Sequence, residues 1–403
     1  MNVSTVLHLC VASWQSAGFA APALMARYVR LTLANRTSKD LVIRNVPARL
    51  AARAVTSLTS GRAEGDAVIP VYNNFDDTEA LLQDLADDHS FSGRVIIVHD
   101  ASTDPRLAPM LARYAAAHRH VTLIENERNL GFVASCNRGM AQSDRDVVIL
   151  NTDIGLPAGV LNRILCRLHS SAAIATVTPL SNSAYGTGFP LLVYENAAPF
   201  GAPPELVDRC FAALAPVENI ELATGIGFCM GISRAALTRL GAFDPHFGQG
   251  YGEETDFCQR ASTAGLRNVL ASDCFVMHKG GQSFGASWQD KARKGLLRVL
   301  TRHTDYPARV ARYLETGETR ALGFAALVAL AEAMAGKPAV VIENTKTAGG
   351  GVSQTGGVPV INLSTDAAVC VASVCYGGEA HDYRFASRDL LNQSLARVTS
   401  RKN

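Results

Sequence analysis

From residue 66 the chain alternates between two textures. Short apolar runs rich in Val and Ile, AVIPVY (67–72), RVIIVHD (94–100), HVTLIEN (120–126) and DVVILNTD (146–153), stand at regular intervals. Between them lie DDTEALLQDLADD, DPRLAPMLARYAAA and GFVASCNRGMAQS, whose apolar positions recur at helical spacing beside capping residues. Short apolar runs bounded by turn signals read as strands, and the intervening segments as amphipathic helices. Strands alternating with helices of that length predict a parallel sheet with helices on both faces. Ligands on such sheets bind at the carboxyl ends of the strands. The candidate chemistry is therefore what ends each strand: Pro70, Tyr72 and Asn73; then Asp100, followed by the turn ASTD; then Asn151, Thr152 and Asp153, with Pro157 opening the next helix.

The flanks read differently. Residues 1–65 are rich in Ala and Arg, with helical spacing near 20–32 and 46–58, and end in the loop SGRAEGD; they are expected to form a helical extension. Residues 286–336 read as further helices packed after the core. Within them ALGFAALVALAEAMAG falls short of the roughly 20 apolar residues that span a bilayer and carries Glu332, so it predicts a buried helix. Residues 337–403 change character again: KPAVVIEN reads as a strand before a glycine turn at Gly349–Gly351, and VPVINLS with AVCVASVCYGG as a hairpin. The first twenty residues lack a basic leading segment and are not read as a signal peptide.

Composition narrows the classes. With 403 residues, 48% of them hydrophobic, the chain can bury a large core and divide into more than one domain. The net charge is +2, and no basic run is interleaved with aromatics, which argues against nucleic acid as a partner. The nine cysteines (10, 136, 166, 210, 229, 258, 274, 370, 375) form no CxxC pair, as expected of reduced thiols in a soluble, cytoplasmic protein. No GxGxxG follows the first strand, which excludes a dinucleotide-dependent dehydrogenase. A nucleotidylyltransferase would need a Gly-rich basic loop there, and PVYNNFDD is not one.

Six segments then appear in order: VIPVYNN, VIIVHDASTD, NERNLGFVASCNRGM, VVILNTDIGLPAGVL, TGIGFCMGISRAALTRLGAFDPHFGQGYGEETDFCQRA and HKGGQSFG. Together they resemble the family 2 nucleotide-sugar glycosyltransferases. The resemblance implies an α/β fold with a GT-A-type nucleotide-binding mixed sheet, helices on both faces, over residues 66–285. It implies transfer of a hexosyl or deoxyhexosyl unit from a nucleoside diphosphate to an acceptor hydroxyl with inversion, in surface polysaccharide or glycan assembly. The tail faintly resembles the start of a GT-B-type glycosyltransferase domain, cut short.

The residues carry the implied roles as follows. A diphosphate leaving group gathers negative charge, and a hard divalent cation, Mn or Mg, answers it. Asp153 matches the family's metal-binding aspartate, with Asn151 where the first acid of an Asp-x-Asp would stand; in isolation Asp153 would read as the N-cap of the turn into the helix at Pro157. His278, before Gly280 and Gly281, resembles the histidine that completes metal or diphosphate coordination. Asp100 matches the aspartate that holds the base, and a carboxylate can accept the imide N–H of a pyrimidine, which favours a UDP- or dTDP-sugar. Pro70, Tyr72 and Asn73 would line base and ribose. Arg128, Asn129, Gly131 and Asn137 match the segment near the donor phosphates, though Asn129 and Gly131 also suit an ordinary turn.

GYGEETDFCQR supplies the remaining acids. Inverting transfer needs a base for the weakly acidic acceptor hydroxyl, and the resemblance assigns it to Glu254, with Glu253 as the alternative. On a helix Asp256 lies about 200° from Glu254, so it is expected to pair with Arg260 instead. The acceptor would be a glycan or lipid-linked molecule, reached through peripheral membrane contact without a transmembrane segment. The competing expectation is a non-catalytic nucleotide-sugar-binding module of a larger assembly, motivated by Asn151 and the short tail.

Overall fold

A computed structural model of the chain describes residues 42–44, 63–192, 196–214, 220–280, 288–343, 357–366 and 369–399. The helical spacing near 20–32 and 46–58 and the turn at Gly349–Gly351 lie outside them. Strand β1 (Val42–Ile43) comes first. The expected alternation follows as β2 (Asp66–Val71), α1 (Phe75–Asp87), β3 (Val95–His99), α2 (Leu107–Ala117), β4 (Val121–Glu125), α3 (Phe132–Ala141) and β5 (Val147–Leu150). Next are β6 (Ile154–Gly155), α4 (Val160–His169), β7 (Ile174–Leu180), α5 (Pro204–Ala213) and β8 (Cys229–Ile232). Then come α6 (Arg234–Leu240), α7 (Glu253–Thr263), β9 (Arg267–Phe275) and β10 (Met277–His278). The last stretch holds α8 (Trp288–Arg302), α9 (Tyr306–Thr316), α10 (Glu318–Ala335), β11 (Val340–Glu343), β12 (Val360–Asp366), β13 (Val369–Tyr376), β14 (Glu379–Phe385) and α11 (Arg388–Thr399).

The main sheet has seven strands in the order β4-β3-β2-β5-β8-β7-β9. The first four are parallel; β2, β3 and β5 are buried apolar runs, as parallel strands covered on both faces require, while the edge strand β4 is only partly covered. Strand β8 runs antiparallel to both β5 and β7, which makes the sheet mixed. Alternate residues divide the core between the two faces. Ala67, Ile69 and Val71 pack with Leu81, Leu111 and Leu161, from α1, α2 and α4. Val68, Ile96 and Ile149 pack with Val133 of α3 and Phe257 of α7. The chain runs outward from β2 through β3 to β4 and returns to β5 on the other side of β2. This reversal opens a crevice at the carboxyl ends of β2 and β5. Pro157 does not open the next helix: α4 starts at Val160, because Gly159 at φ 85° caps it in a left-handed conformation.

A second sheet takes the order β1-β14-β13-β12-β11. The expected hairpin is β12 and β13, and β11 adds to β12 in parallel. The described part of the first 65 residues contributes here: β1 lies parallel to β14, with Val42 opposite Arg384. The long helical run after Pro307 is divided at Gly317, φ 68°, where a Cβ would stand 2.8 Å from the Cα of Ile43. Helix α10 is buried from Thr319 to Ala331, as its uniformly apolar surface demands, and packs against α5, β13 and α11. No helix among the described residues is long and apolar enough to cross a membrane.

Candidate active site

The crevice between β2 and β5 holds a cleft of about 270 Å³. The carboxyl ends of three strands line it with Pro70, Tyr72, Asp100, Asn151 and Thr152, and the approach to α3 adds Asn129 and Gly131. Asp100 fixes this second wall. Its carboxylate accepts from the Asn126 side chain at 2.6 Å, from Leu130 N at 2.7 Å and from Gly131 N at 2.8 Å. Most of its accepting capacity is therefore spent on the loop that leads into α3, and little is left for a ligand. Gly131 takes φ 86° and starts α3 with no side-chain cap, and Phe132 and Ser135 of the first helical turn line the cleft. A Cβ at Gly131 would stand 3.0 Å from the Gln249 backbone, so the position accepts only glycine without rearrangement.

Beside the cleft, β6 and β10 pair antiparallel, with His278 opposite Ile154. This small ribbon brings together two residues more than a hundred positions apart: His278 Nε2 stands 3.4 Å from Asp153 Oδ1. The other ring nitrogen, Nδ1, lies 3.0 Å from the Ser183 carbonyl oxygen and donates to it, which leaves Nε2 as the ring nitrogen that faces Asp153. Asn182 holds the backbone of His278 from both sides, and the ring stacks on Phe228 at 5.1 Å. Asp153 does not cap α4, whose cap is Gly159. Asn151 lines the cleft at the end of the same strand, and its buried Oδ1 makes no hydrogen bond. An acceptor oxygen without a donor, a carboxylate and an imidazole lone pair form a donor set suited to a divalent cation. Among the described residues no group of three or more His, Cys, Asp or Glu could hold a metal ion. Asp153 and His278 thus form a thin set, of the kind completed by a ligand's phosphate oxygens.

The acidic turn opens α7. Its cap is Gly252 at φ 101°, and the preceding Tyr251 also takes a positive φ, 75°. Glu254 Oε2 accepts from Gly252 N at 3.3 Å. Glu253 is buried, and its Oε2 has no hydrogen-bond partner. Burial, then the charge of Glu254, pushes the Glu253 carboxyl well above the usual range. Burial also raises Glu254, while the hydrogen bond from Glu253 works the other way. Glu253 is raised the further of the two, which favours the proton there and leaves Glu254 as the ionised carboxylate. Burial and then the charges of Glu253, Glu254 and Asp153 push the Tyr251 phenol up to about 12. Asp256 points elsewhere, accepting from Arg260 at 2.8 Å as expected and from His303 at 2.9 Å. Burial opposes its charge, but His303 and Arg260 outweigh that and hold the carboxyl below its ordinary value.

Three residues expected at the donor do not line the cleft. Asn73 turns its Oδ1 to the N–H groups of Thr103 and Asp104 and so fixes the loop after β3. Asn137 clips Phe243 through both its N–H and its carbonyl. Arg128 is exposed on the loop before α3. Lys279, next to His278, pairs with Asp77, and its backbone N–H bonds the Asp153 carbonyl. Conversely, Gln249 and Lys291 line the cleft without having been expected there. Gln249 lies in the Gly-rich stretch already singled out, whereas Lys291 reaches the cleft from α8 and carries no local signal.

The family described as Glycosyl transferase family 2 matches residues 66–241, which include Asp100, Asn151 and Asp153 but stop before Glu253 and His278. No curated protein sequence matches the chain. Among solved structures, the chain is similar to a mannosyltransferase, PcManGT from Pyrobaculum calidifontis, in complex with GDP-Man and Mn2+, at 16% identity and a TM-score of 0.47 over 83% of this chain and 86% of that one. It is also similar to S. aureus TarS 1-349 in complex with UDP-GlcNAc, at 16% identity and a TM-score of 0.43 over 67% of this chain and 81% of the other. A third is GalNAc-T7 with UDP, GalNAc and Mn2+, at 14% identity and a TM-score of 0.43 over 54% and 44%.

Proposed function

We propose that the chain, whose residues 66–241 match Glycosyl transferase family 2, is a glycosyltransferase of the GT-A type that transfers a sugar with inversion, assisted by a divalent cation. The observation that carries the reading is the approach of His278 to Asp153 at 3.4 Å, beside a cleft built from strand ends. Asp153 and His278, with Asn151 Oδ1 at the rim, are the residues that would hold Mn or Mg. The cation would neutralise charge on the departing diphosphate. Pro70, Tyr72, Asn129, Gly131 and Thr152 shape the donor cleft, and Asp100 holds the α3 loop against it. Glu254 takes the proton of the acceptor hydroxyl as that oxygen bonds to the anomeric carbon and the bond to the diphosphate breaks. Glu253 keeps its own proton and steadies the Glu254 carboxylate.

We place the catalytic unit at 66–285, a helical extension at 286–336 and a small α/β unit at 337–403, joined by β1 from the extension at 1–65. We favour a UDP- or dTDP-sugar donor, a glycan or lipid-linked acceptor, and work at the cytoplasmic face of a membrane in surface polysaccharide or glycan assembly. The test is a panel of UDP-, dTDP- and GDP-sugars with Mn or Mg, with and without chelator, scored for donor binding and cleavage. We expect cleavage that needs the cation and falls by at least ~100-fold in Asp153→Ala, the scale of a lost electrostatic contact to the leaving group. Turnover insensitive to chelator would remove the metal role. Donor binding without cleavage or transfer to any acceptor would favour the non-catalytic module.

A further inference from the structure

The loop that leads into α7 lies outside the matched family segment, and in it glycines alternate with Gln249 and Tyr251. It is held from both sides. A Cβ at Gly131 would stand 3.0 Å from the Cα of Gln249, and one at Gly250 would stand 3.5 Å from the Cβ of Phe132, so the loop rests on the start of α3. On its other side Gly295 of α8 is pressed so closely that a Cβ there would stand 1.9 Å from the Tyr251 carbonyl oxygen. The Gln249 backbone is thus fixed beside the donor cleft, and its side chain is part of the cleft lining. That side chain is exposed, and among the described residues its amide makes no hydrogen bond. Two neighbours in the lining are already engaged. The Asp100 carboxylate receives three N–H groups of the chain, and Ser135 Oγ accepts from the Asn126 side chain at 3.1 Å. Gln249 keeps its whole hydrogen-bonding capacity for a ligand.

Resting on the glycosyltransferase reading, we propose that Gln249 is a specificity-determining residue whose amide hydrogen-bonds a hydroxyl of the sugar being transferred. A neutral amide offers two N–H donors and a carbonyl acceptor. That matches a hydroxyl, itself donor and acceptor, and adds no charge to a diphosphate. Position on the chain favours the sugar over the nucleobase. Gln249 precedes Glu254 by five residues (254 minus 249). In an inverting displacement the anomeric carbon lies between the acceptor oxygen, which Glu254 deprotonates, and the departing diphosphate. The loop that carries the general base is thus the one that runs beside the transferred ring, while Pro70 and Tyr72 line the cleft from the end of β2. With its backbone held by α3 and α8, the amide meets the sugar without a loop having to be ordered first. A site built to hydrogen-bond one hydroxyl discriminates against the sugar in which that hydroxyl points elsewhere.

The experiment is titration calorimetry on the full chain in Mn, without acceptor. The probes are UDP-, dTDP- and GDP-linked glucose, galactose and mannose, beside free UDP, dTDP and GDP. For the sugar nucleotide that the parent binds best, Gln249→Met should weaken binding about three- to tenfold, the scale of one hydrogen bond between uncharged groups. Binding of the matching free diphosphate should stay as in the parent, and the preference over the sugar's epimer should shrink by the same factor. Unchanged binding of the sugar nucleotide overturns the assignment, as does a preference between epimers that survives intact. So does equal loss of the sugar nucleotide and its free diphosphate, which would place the amide on the nucleotide or in the loop's own structure. A parent chain that binds neither would instead overturn the glycosyltransferase reading itself, and this assignment with it.

Discussion

At the first turn of α7 two carboxyl groups compete for one proton, and substitution separates their tasks. Glu254→Gln should lower transfer by ~100-fold or more, the usual range for a lost general base, while donor affinity stays within about twofold of the parent. Loss of donor binding would move Glu254 out of the catalytic role. Because burial raises its carboxyl, the acid limb of kcat/KM should lie above the ordinary glutamate value of about 4.3. Glu253 makes a stability prediction of opposite flavour. Its raised carboxyl means that the folded chain keeps a proton that the unfolded chain releases near pH 4.3 or so. Stability from this group is complete below that pH and is lost as pH rises toward the raised folded value. Glutamine has no proton to lose, so Glu253→Gln should gain on the parent in thermal denaturation between about pH 4 and 8. A constant difference across that range would mean that Glu253 is ionised. Asp153 and Asp100 stood out in the sequence because they follow strand ends, whereas Glu254, in the first turn of a helix, was singled out only by the resemblance. The sequence could not separate an asparagine that meets a ligand from one that ties a loop, and Asn73 and Asn137 fall in the second group.

Among the elements, the β6–β10 ribbon and the α7–α8 contact were the least legible. Both are made by segments too short or too distant to show a period: two residues each in the ribbon, and a single glycine on α8. The alternating strands and helices from β2 to β5 were readable because each buries a whole face. Gly295 gives the sharpest element-scale test. A methyl group at 1.9 Å from a carbonyl oxygen cannot be accommodated without moving α8. Gly295→Ala should therefore destabilise by about 1–3 kcal/mol, the cost of overpacking, and should weaken donor binding along with stability. A variant that melts lower but binds the donor as the parent does would show that α8 moves without disturbing the cleft.

Over the whole molecule, the second sheet is fastened to the catalytic unit through α10 and α5, with Tyr383 donating to the Pro190 carbonyl. One residue in that seam runs against the apolar logic. Arg320 is buried, its three guanidinium nitrogens make no hydrogen bond, and its charge rests 5.3 Å from the Tyr383 ring centre. Burial accordingly pulls its proton affinity down. A cation–π contact offsets only part of such a cost. Arg320→Met is expected to raise stability by about 1–3 kcal/mol, read as a higher denaturation midpoint in urea; a lower midpoint would mean that the guanidinium has an anionic partner. The pairing of β1 with β14 carries a different consequence, one of time. Val42 meets Arg384, so β1 has no partner until 342 further residues (384 minus 42) have been made. At about 5–20 residues per second a ribosome needs ~20–70 s to supply them. During that interval the catalytic sheet, whose strands lie close in sequence, can already be folded. Strand β1 must wait until then for its partner, and a chaperone that binds extended apolar segments would find a target there in the nascent chain.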